Sequence, residues 1–477
     1  MKASYSLSFG LAALLCSGTA LAQKYDGSGS PTFIPHTLQE AMASAYLTNP
    51  TLQQERATLR STDEGVPAAL AGWRPRISAS SSISYYSGAS NFFSSDNLPL
   101  NNRRYSTPGY TAGVNLQQNV YTGGKTTAST HQAVNKVMAE RAKLLATEQQ
   151  ILYNVVQAYV EVIQDEQLLQ LRINNEKVLQ EQLRATNERF KVGEITRTDV
   201  AQAEAALASA RAQRQQAEGT LQTAQATYMQ IVGTPPPPNL VPPQPLVLPV
   251  KTQQEAIAES VANNPNIINA LFEESAAKDA VSVAFAAVMP QLSATLGFQR
   301  NVNQQYNRQV TYNKSAILQL TVPVYQGGSE YAAIRQAKQQ VAAAHKNVDI
   351  QRRSALQLAA SNWQQLMASK ASINSSRAAI AANVVALDGV ERQAIVGTST
   401  TLEVLQQQQT LLSSQIALVQ NLSSLVLSSY NVAAAIGRLT AADLKLNVPH
   451  YDYTAYYRAV EDKLWGVNDE AVDQPGR

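Results

Sequence analysis

The residues best able to ligate a metal or attack a substrate are few and scattered. His36, His131, His345 and His450 are the four histidines of the chain. None stands at a spacing that would set two imidazoles on one ion, so solvated or structural histidine is the better account. Cys16 is the single cysteine, and it lies in a segment expected to be removed. The mature chain would then have no disulfide, thiolate metal site or cysteine nucleophile. Gly123-Gly124 and Gly327-Gly328 follow strand-like stretches and precede helical ones, where a phosphate loop would sit. They lack the Gly-Lys-Ser/Thr ending and read as strand-to-helix hinges. No motif places a catalytic triad or a pair of carboxylates. Neither an enzyme activity nor a metal or cofactor is expected.

Composition narrows the class further. The formal charge is 38 − 35 = +3, without a basic cluster of the kind that nucleic acid requires. Lys2, the apolar run Leu7 to Leu15 and Ala20-Leu21-Ala22 make residues 1–22 a signal peptide with the mature chain starting near Gln23. Leu15 occupies the position where lipidation of Cys16 would want a small residue. No later apolar run reaches 18 residues, so no membrane helix is expected. An exported chain of this kind is periplasmic, secreted or an outer-membrane β-barrel.

An internal repeat organises the sequence. Residues 37–50, TLQEAMASAYLTNP, and 252–265, TQQEAIAESVANNP, agree at 7 of 14 positions with an offset of 215. The same offset carries Pro75 onto Pro290. From Val120-Tyr121 onward the offset is 204, placing VYTGG on VYQGG, Val192-Gly193 on Val396-Gly397 and Gly233 on Gly437. The first copy is therefore 215 − 204 = 11 residues longer, all between Pro75 and Tyr121. Chance does not hold register over such a span, so the chain is a duplication. The copies span 37–233 and 252–437. They follow an N-terminal segment, 23–36, and precede a C-terminal segment, 438–477. Residues 234–251 join them and hold 8 of the 20 prolines, which makes an extended strap.

Within each copy, Thr37 and Glu40 form a capping box for a first helix. Asn49-Pro50 restarts a second helix that runs to about Trp73. Strands are expected at about 76–88 and 108–121, and at about 291–300 and 315–325, where apolar and polar residues alternate. Polar loops, Ser87–Thr107 and Arg300–Lys314, would join them, the extra 11 residues lengthening the first. Proline-free stretches predict long helices at 125–191 and 329–395, each reaching roughly 100 Å. Leu145, Leu152 and Tyr159, with Val155, Val162 and Leu169, set a coiled-coil stripe on the first. Return helices at 197–232 and 401–436 follow the turns at Val192-Gly193 and Val396-Gly397. The short helices and the return helix, stacked end to end, match the single long one in length.

Four strands cannot close a barrel, and an open edge in lipid is too costly. Several copies must therefore share one barrel. Twelve strands from three copies leave room for a lumen, whereas eight are nearly filled by side chains. The duplicated halves, the prolines before the strands, VYTGG and VYQGG, and the turns VGEITRTDV and VGTSTTLEV together resemble the TolC family of outer-membrane efflux and type I secretion proteins. The resemblance covers about residues 36–440, and YDYTAYYRAVEDKLW near the end is similar to secretion-type members.

That resemblance implies a homotrimer with a 12-strand membrane β-barrel and a 12-helix α-helical barrel through the periplasm. It implies passive export, with a periplasmic adaptor and an inner-membrane ABC or proton-driven transporter as partners. It also implies an aperture at the tips. Glu403 and Gln406 occupy the positions of two narrowing acids, Gln406 departing from the pattern. Asp199, flanked by Thr198, occupies a lock position whose expected arginine is replaced by Ser399. Capping of helix N-termini is the alternative role for Asp199 and Glu403. Val192, Gly193, Val396 and Gly397 mark the surface an adaptor would meet. The competing class is a soluble periplasmic coiled-coil scaffold.

Overall fold

The computed structural model describes residues 35–93, 99–303 and 309–467. The expected signal peptide, Cys16 and the last ten residues lie outside them. The first copy begins with α1 (Leu38–Thr48), α2 (Pro50–Asp63) and α3 (Gly65–Leu70). Thr37 and Glu40 close the capping box on α1, and Asn49 caps α2 with Pro50 at its first turn. The sequence suggested one helix to Trp73, but α2 stops at Asp63. Pro67 has no N–H for the Asp63 carbonyl, and Gly65 weakens the same turn. The second copy has Ala280 and Ser282 at these positions. There α6 (Gln253–Asn263) is followed by an unbroken α7 (Pro265–Phe285).

The strands form one antiparallel sheet in the order β1 (Arg76–Phe93), β2 (Pro99–Tyr121), β3 (Gln291–Val302), β4 (Val310–Thr321). Its register sorts the side chains by polarity. Ile77 faces Leu116, Ala79 faces Val114, Leu296 faces Leu116, Phe298 faces Val114, and Leu318 faces Ala294. Directly paired residues share a face, so these line one apolar surface. Ser78–Asn115, Ser80–Gly113 and Gly297–Ser315 line the polar one. Ile77, Ile83, Leu318 and Leu320 are all exposed in the protomer.

Two strand expectations need correction. The residues expected as a polar loop pair as a hairpin, Ser87 with Ser106 and Phe92 with Asn101. The 11 extra residues therefore lengthen β1 and β2 beyond the last β2–β3 pair, Tyr110–Val302. Here no face needs to be apolar, so the alternation that marks a half-buried strand is absent. In the second hairpin β4 starts at Val310 and ends at Thr321, earlier than expected at both ends. Pro323 lacks the N–H that would continue the ladder.

The helical part has equal proportions in both copies. α4 (Lys125–Lys191) and α8 (Ser329–Ile395) have 67 residues each, and α5 (Arg197–Val232) and α9 (Thr401–Ala435) return beside them. Each pair begins at a glycine with positive φ. A Cβ on Gly123 would lie 2.5 Å from the Met289 Cβ, so the hinge between sheet and rod admits only glycine there.

The main core lies where α1, α2, the middle of α4, the ends of α5 and α9 and the C-terminal segment converge. Tyr159 and Tyr228 are fully buried there. Truncating either to alanine would cost about 3–5 kcal/mol by the scale for buried aromatics. The Tyr159 hydroxyl reaches the carbonyl oxygens of His36, 2.9 Å, and Val241, 2.8 Å, tying the strap to the N-terminal segment.

One helix is apolar on average although polar residues interrupt it throughout. α9 has an 18-residue window of mean hydropathy 1.3, enough by length and composition to cross a membrane. Only 11% of that window is buried within the protomer. Its pairing along α8 makes it half of a coiled coil with an uncovered apolar face.

Candidate functional site at the hairpin tips

Both tips are built by the same local rules. α4 and α8 have Val192 and Val396 as their C-caps, and Gly193 and Gly397 follow with φ +80°. The Glu194 N–H donates to the Arg189 carbonyl at 3.0 Å, and the Thr398 N–H to the Gln393 carbonyl at 2.9 Å. These left-handed C-terminal caps satisfy carbonyls that a helix end leaves open. Three residues later the chain is helical again. Thr196 caps α5 and Thr400 caps α9.

The two acids expected at an aperture are the third helical residues of these caps. Asp199 Oδ2 accepts from the Thr196 N–H at 2.9 Å and from its hydroxyl at 2.6 Å. Glu403 Oε2 accepts from the Thr400 N–H at 3.1 Å and from the Ser399 hydroxyl. The side-chain hydroxyl bonds, then the backbone bonds, hold both carboxyls below their ordinary values. Thr198 and Gln406 are exposed. Gln406 borders a groove between α5 and α9 with Gln202, Ala205 and Gln409. Among the described residues no hydrogen bond or ion pair joins Asp199 to Glu403.

A contact that sequence reasoning missed joins the tips. Arg189 bonds Glu194 Oε1 at 2.6 Å through Nη2 and 3.0 Å through Nε. Its Nη2 also reaches the Ala394 carbonyl, 3.4 Å away at the end of α8. The Glu194 carboxylate raises the Arg189 pKa. The repeat offset places Gln393 and Thr398 at these positions in the second tip, so the ionic contact belongs to one copy. Leu405 packs across the tips against the cluster of Leu179, Leu207 and Ala210.

Deeper along the coils the copies again differ. Glu176 pairs with Arg211 at 3.4 Å and Arg214 at 2.9 Å, linking α4 to α5. α8 and α9 are joined by neutral groups instead, Asn383 to Ser414 at 2.7 Å and Asn421 to Ser376 at 2.8 Å.

A four-stranded sheet with an apolar face, its outer edges unpaired among the described residues, standing on two coiled-coil hairpins, is the architecture of an outer-membrane channel chain. The family model described as Outer membrane efflux protein matches residues 41–234 and 256–438, and the chain belongs to that family. It is similar to the outer membrane efflux protein BepC of Brucella suis, 36% identical over 457 residues and 96% of each chain. The outer membrane protein TolC of Escherichia coli is 24% identical over 434 residues, covering 85% of this chain and 83% of TolC. In fold it matches the Campylobacter jejuni CmeC outer membrane channel with a TM-score of 0.73, 17% identity and coverage of 84% and 85%. The chain is an outer-membrane export channel protein, of the type serving multidrug efflux or type I secretion, with its helical tunnel in the periplasm. This excludes the soluble scaffold.

Proposed function

We propose that three copies close one 12-strand barrel in the outer membrane and one 12-helix tunnel beneath it, forming a passive duct. The carrying observation is the sheet, whose β1 and β4 edges find no strand partner among the described residues while its apolar face is exposed. Backbone groups left unpaired in lipid cost several kcal/mol each. Neighbouring copies supply the missing strands, and they also cover the apolar face of α9.

The duct carries out no chemistry. An inner-membrane ABC or proton-driven transporter supplies the energy, and a periplasmic adaptor meets the tips around Val192, Gly193, Val396 and Gly397. Glu403 of three copies forms a ring of carboxylates at the aperture, with Gln406 as a neutral ring beyond it. Asp199 and Thr198 lie on the outer flank. The cap bonds leave one oxygen of each Glu403 carboxylate free to face passing ions. Planar-bilayer recording of the purified protein tests this reading. A small cation-preferring conductance that rises with Glu403→Gln supports it, and absence of any channel refutes it.

A further inference from the structure

Away from the tips, a cavity of about 590 Å³ lies under the C-terminal segment. Its floor is α4, its walls are α2 and α7, and its roof is Thr440–Ala442 with His450–Thr454. Volumes of this size hold small organic ligands. Leu145, Pro265, Ile268 and Phe272 make one end apolar.

The other end is charged. Arg56 and Glu148 sit there together, Arg56 only 1% exposed and packed on the rings of Tyr46 and Tyr451. Glu148 accepts the Ala441 N–H at 2.8 Å, so this pair is internally balanced. Ala442, His450 and Tyr453 are the exposed members of the lining. Arg141 is different. Its guanidinium rests over Tyr453 at 5.5 Å and Tyr457 at 5.1 Å. Its Nη1 donates to the Met138 sulfur at 3.7 Å, whereas its Nε and Nη2 are buried and meet no acceptor among the described residues. A guanidinium with so weak a set of acceptors is costly to enclose, and an anion would relieve it.

Asp63 on α2 lies in Coulombic reach of Arg141, 1% exposed and with neither carboxylate oxygen hydrogen-bonded among the described residues. Burial pushes its carboxyl up to about 7 against the opposing pull of Arg141, with Glu64 raising it and Arg60 lowering it. Tyr451 and Tyr457 face the same cluster. Asp63 is thus a weak counter-charge, and weaker still in mild acid.

We propose that this cavity binds one small anionic amphiphile per chain, its singly charged head on Arg141 and its apolar body against Ile268 and Phe272. The source is the periplasmic solution rather than the bilayer. Arg141 lies 141 − 125 = 16 residues along α4 from the barrel hinge, roughly 24 Å below the strands. The site does not depend on the tips, so it stands or falls separately from the channel reading.

Isothermal titration of the assembled full-length protein in nanodiscs tests it, with decanoate as the probe and decanol as its uncharged match. Saturable binding of one decanoate per chain is expected. Arg141→Gln should weaken it at least about tenfold, and decanol should bind at least about tenfold more weakly than decanoate. Binding should be tighter at pH 6 than at pH 8 because Asp63 is protonated at the lower pH. Ile268→Trp fills the apolar end and should abolish binding, with assembly checked by thermal unfolding. If that variant fails to assemble, Arg141→Gln decides alone. Absence of saturable binding, equal affinity for decanol, or unchanged affinity in Arg141→Gln would overturn the proposal.

Discussion

At the first tip Arg189 grips Glu194 and reaches across to Ala394; at the second, Gln393 and Thr398 stand in those places. Both turns share Gly at φ +80° and a threonine-acid capping box. Duplication therefore preserved the backbone and allowed the chemistry to diverge. The first hairpin is held by ions, at Arg189–Glu194 and at Glu176 with Arg211 and Arg214. The second is held by neutral amides and hydroxyls. Ionic contacts weaken with salt and neutral ones do not. A ring of such tips has two kinds of element, one responsive to ionic strength and one indifferent to it.

The largest effects should come from what the tips share. Gly193→Val and Gly397→Val each force a β-branched residue into a left-handed turn, costing about 1–2 kcal/mol. Limited proteolysis should cut both variant tips faster, and to similar extents. A large difference would break the equivalence of the two backbones. Thr196→Ala and Thr400→Ala remove the caps and should cost about 1 kcal/mol each, read by the same assay.

What the tips do not share should give smaller and unequal effects. Arg189→Gln makes the first tip resemble the second. We expect conductance to rise about two- to fivefold, as for loss of an exposed ion pair, and its dependence on salt to shrink. Gln393→Arg should do little, because Thr398 offers no carboxylate.

Acid should act on both tips alike and late. The folded pKa values of Asp199 and Glu403 lie below their ordinary 3.8 and 4.5, so cap stability is full above those values. It is lost as pH falls through the lower folded values. Conductance should stay flat from pH 8 to pH 5 and change only in stronger acid. A transition near neutrality would show that these carboxylates face a different environment in the assembly.

Much of this was legible in the sequence because it is local or periodic. The offset from Tyr121 to Gly233 reveals rods of equal length, and Val-Gly marks both turns. The capping boxes follow from Thr196 with Asp199 and Thr400 with Glu403. What was missed depends on distance or on context. Arg189 meets Ala394 across 205 residues, and Arg141 meets Tyr453 and Tyr457 only after the C-terminal segment folds back. The long first hairpin has polar residues in place of alternation, so its strands resembled a loop. The α2 break was readable in Gly65 and Pro67, but the unbroken α7 of the other copy shows how little sequence change it takes.

The proposed duct exists only if three copies close a single barrel. Native mass spectrometry of the protein extracted from outer membranes in a mild detergent measures that number directly. It should give a species of three chains that resists dodecyl sulfate until heated. A predominant monomer or dimer would contradict the barrel and the duct built on it.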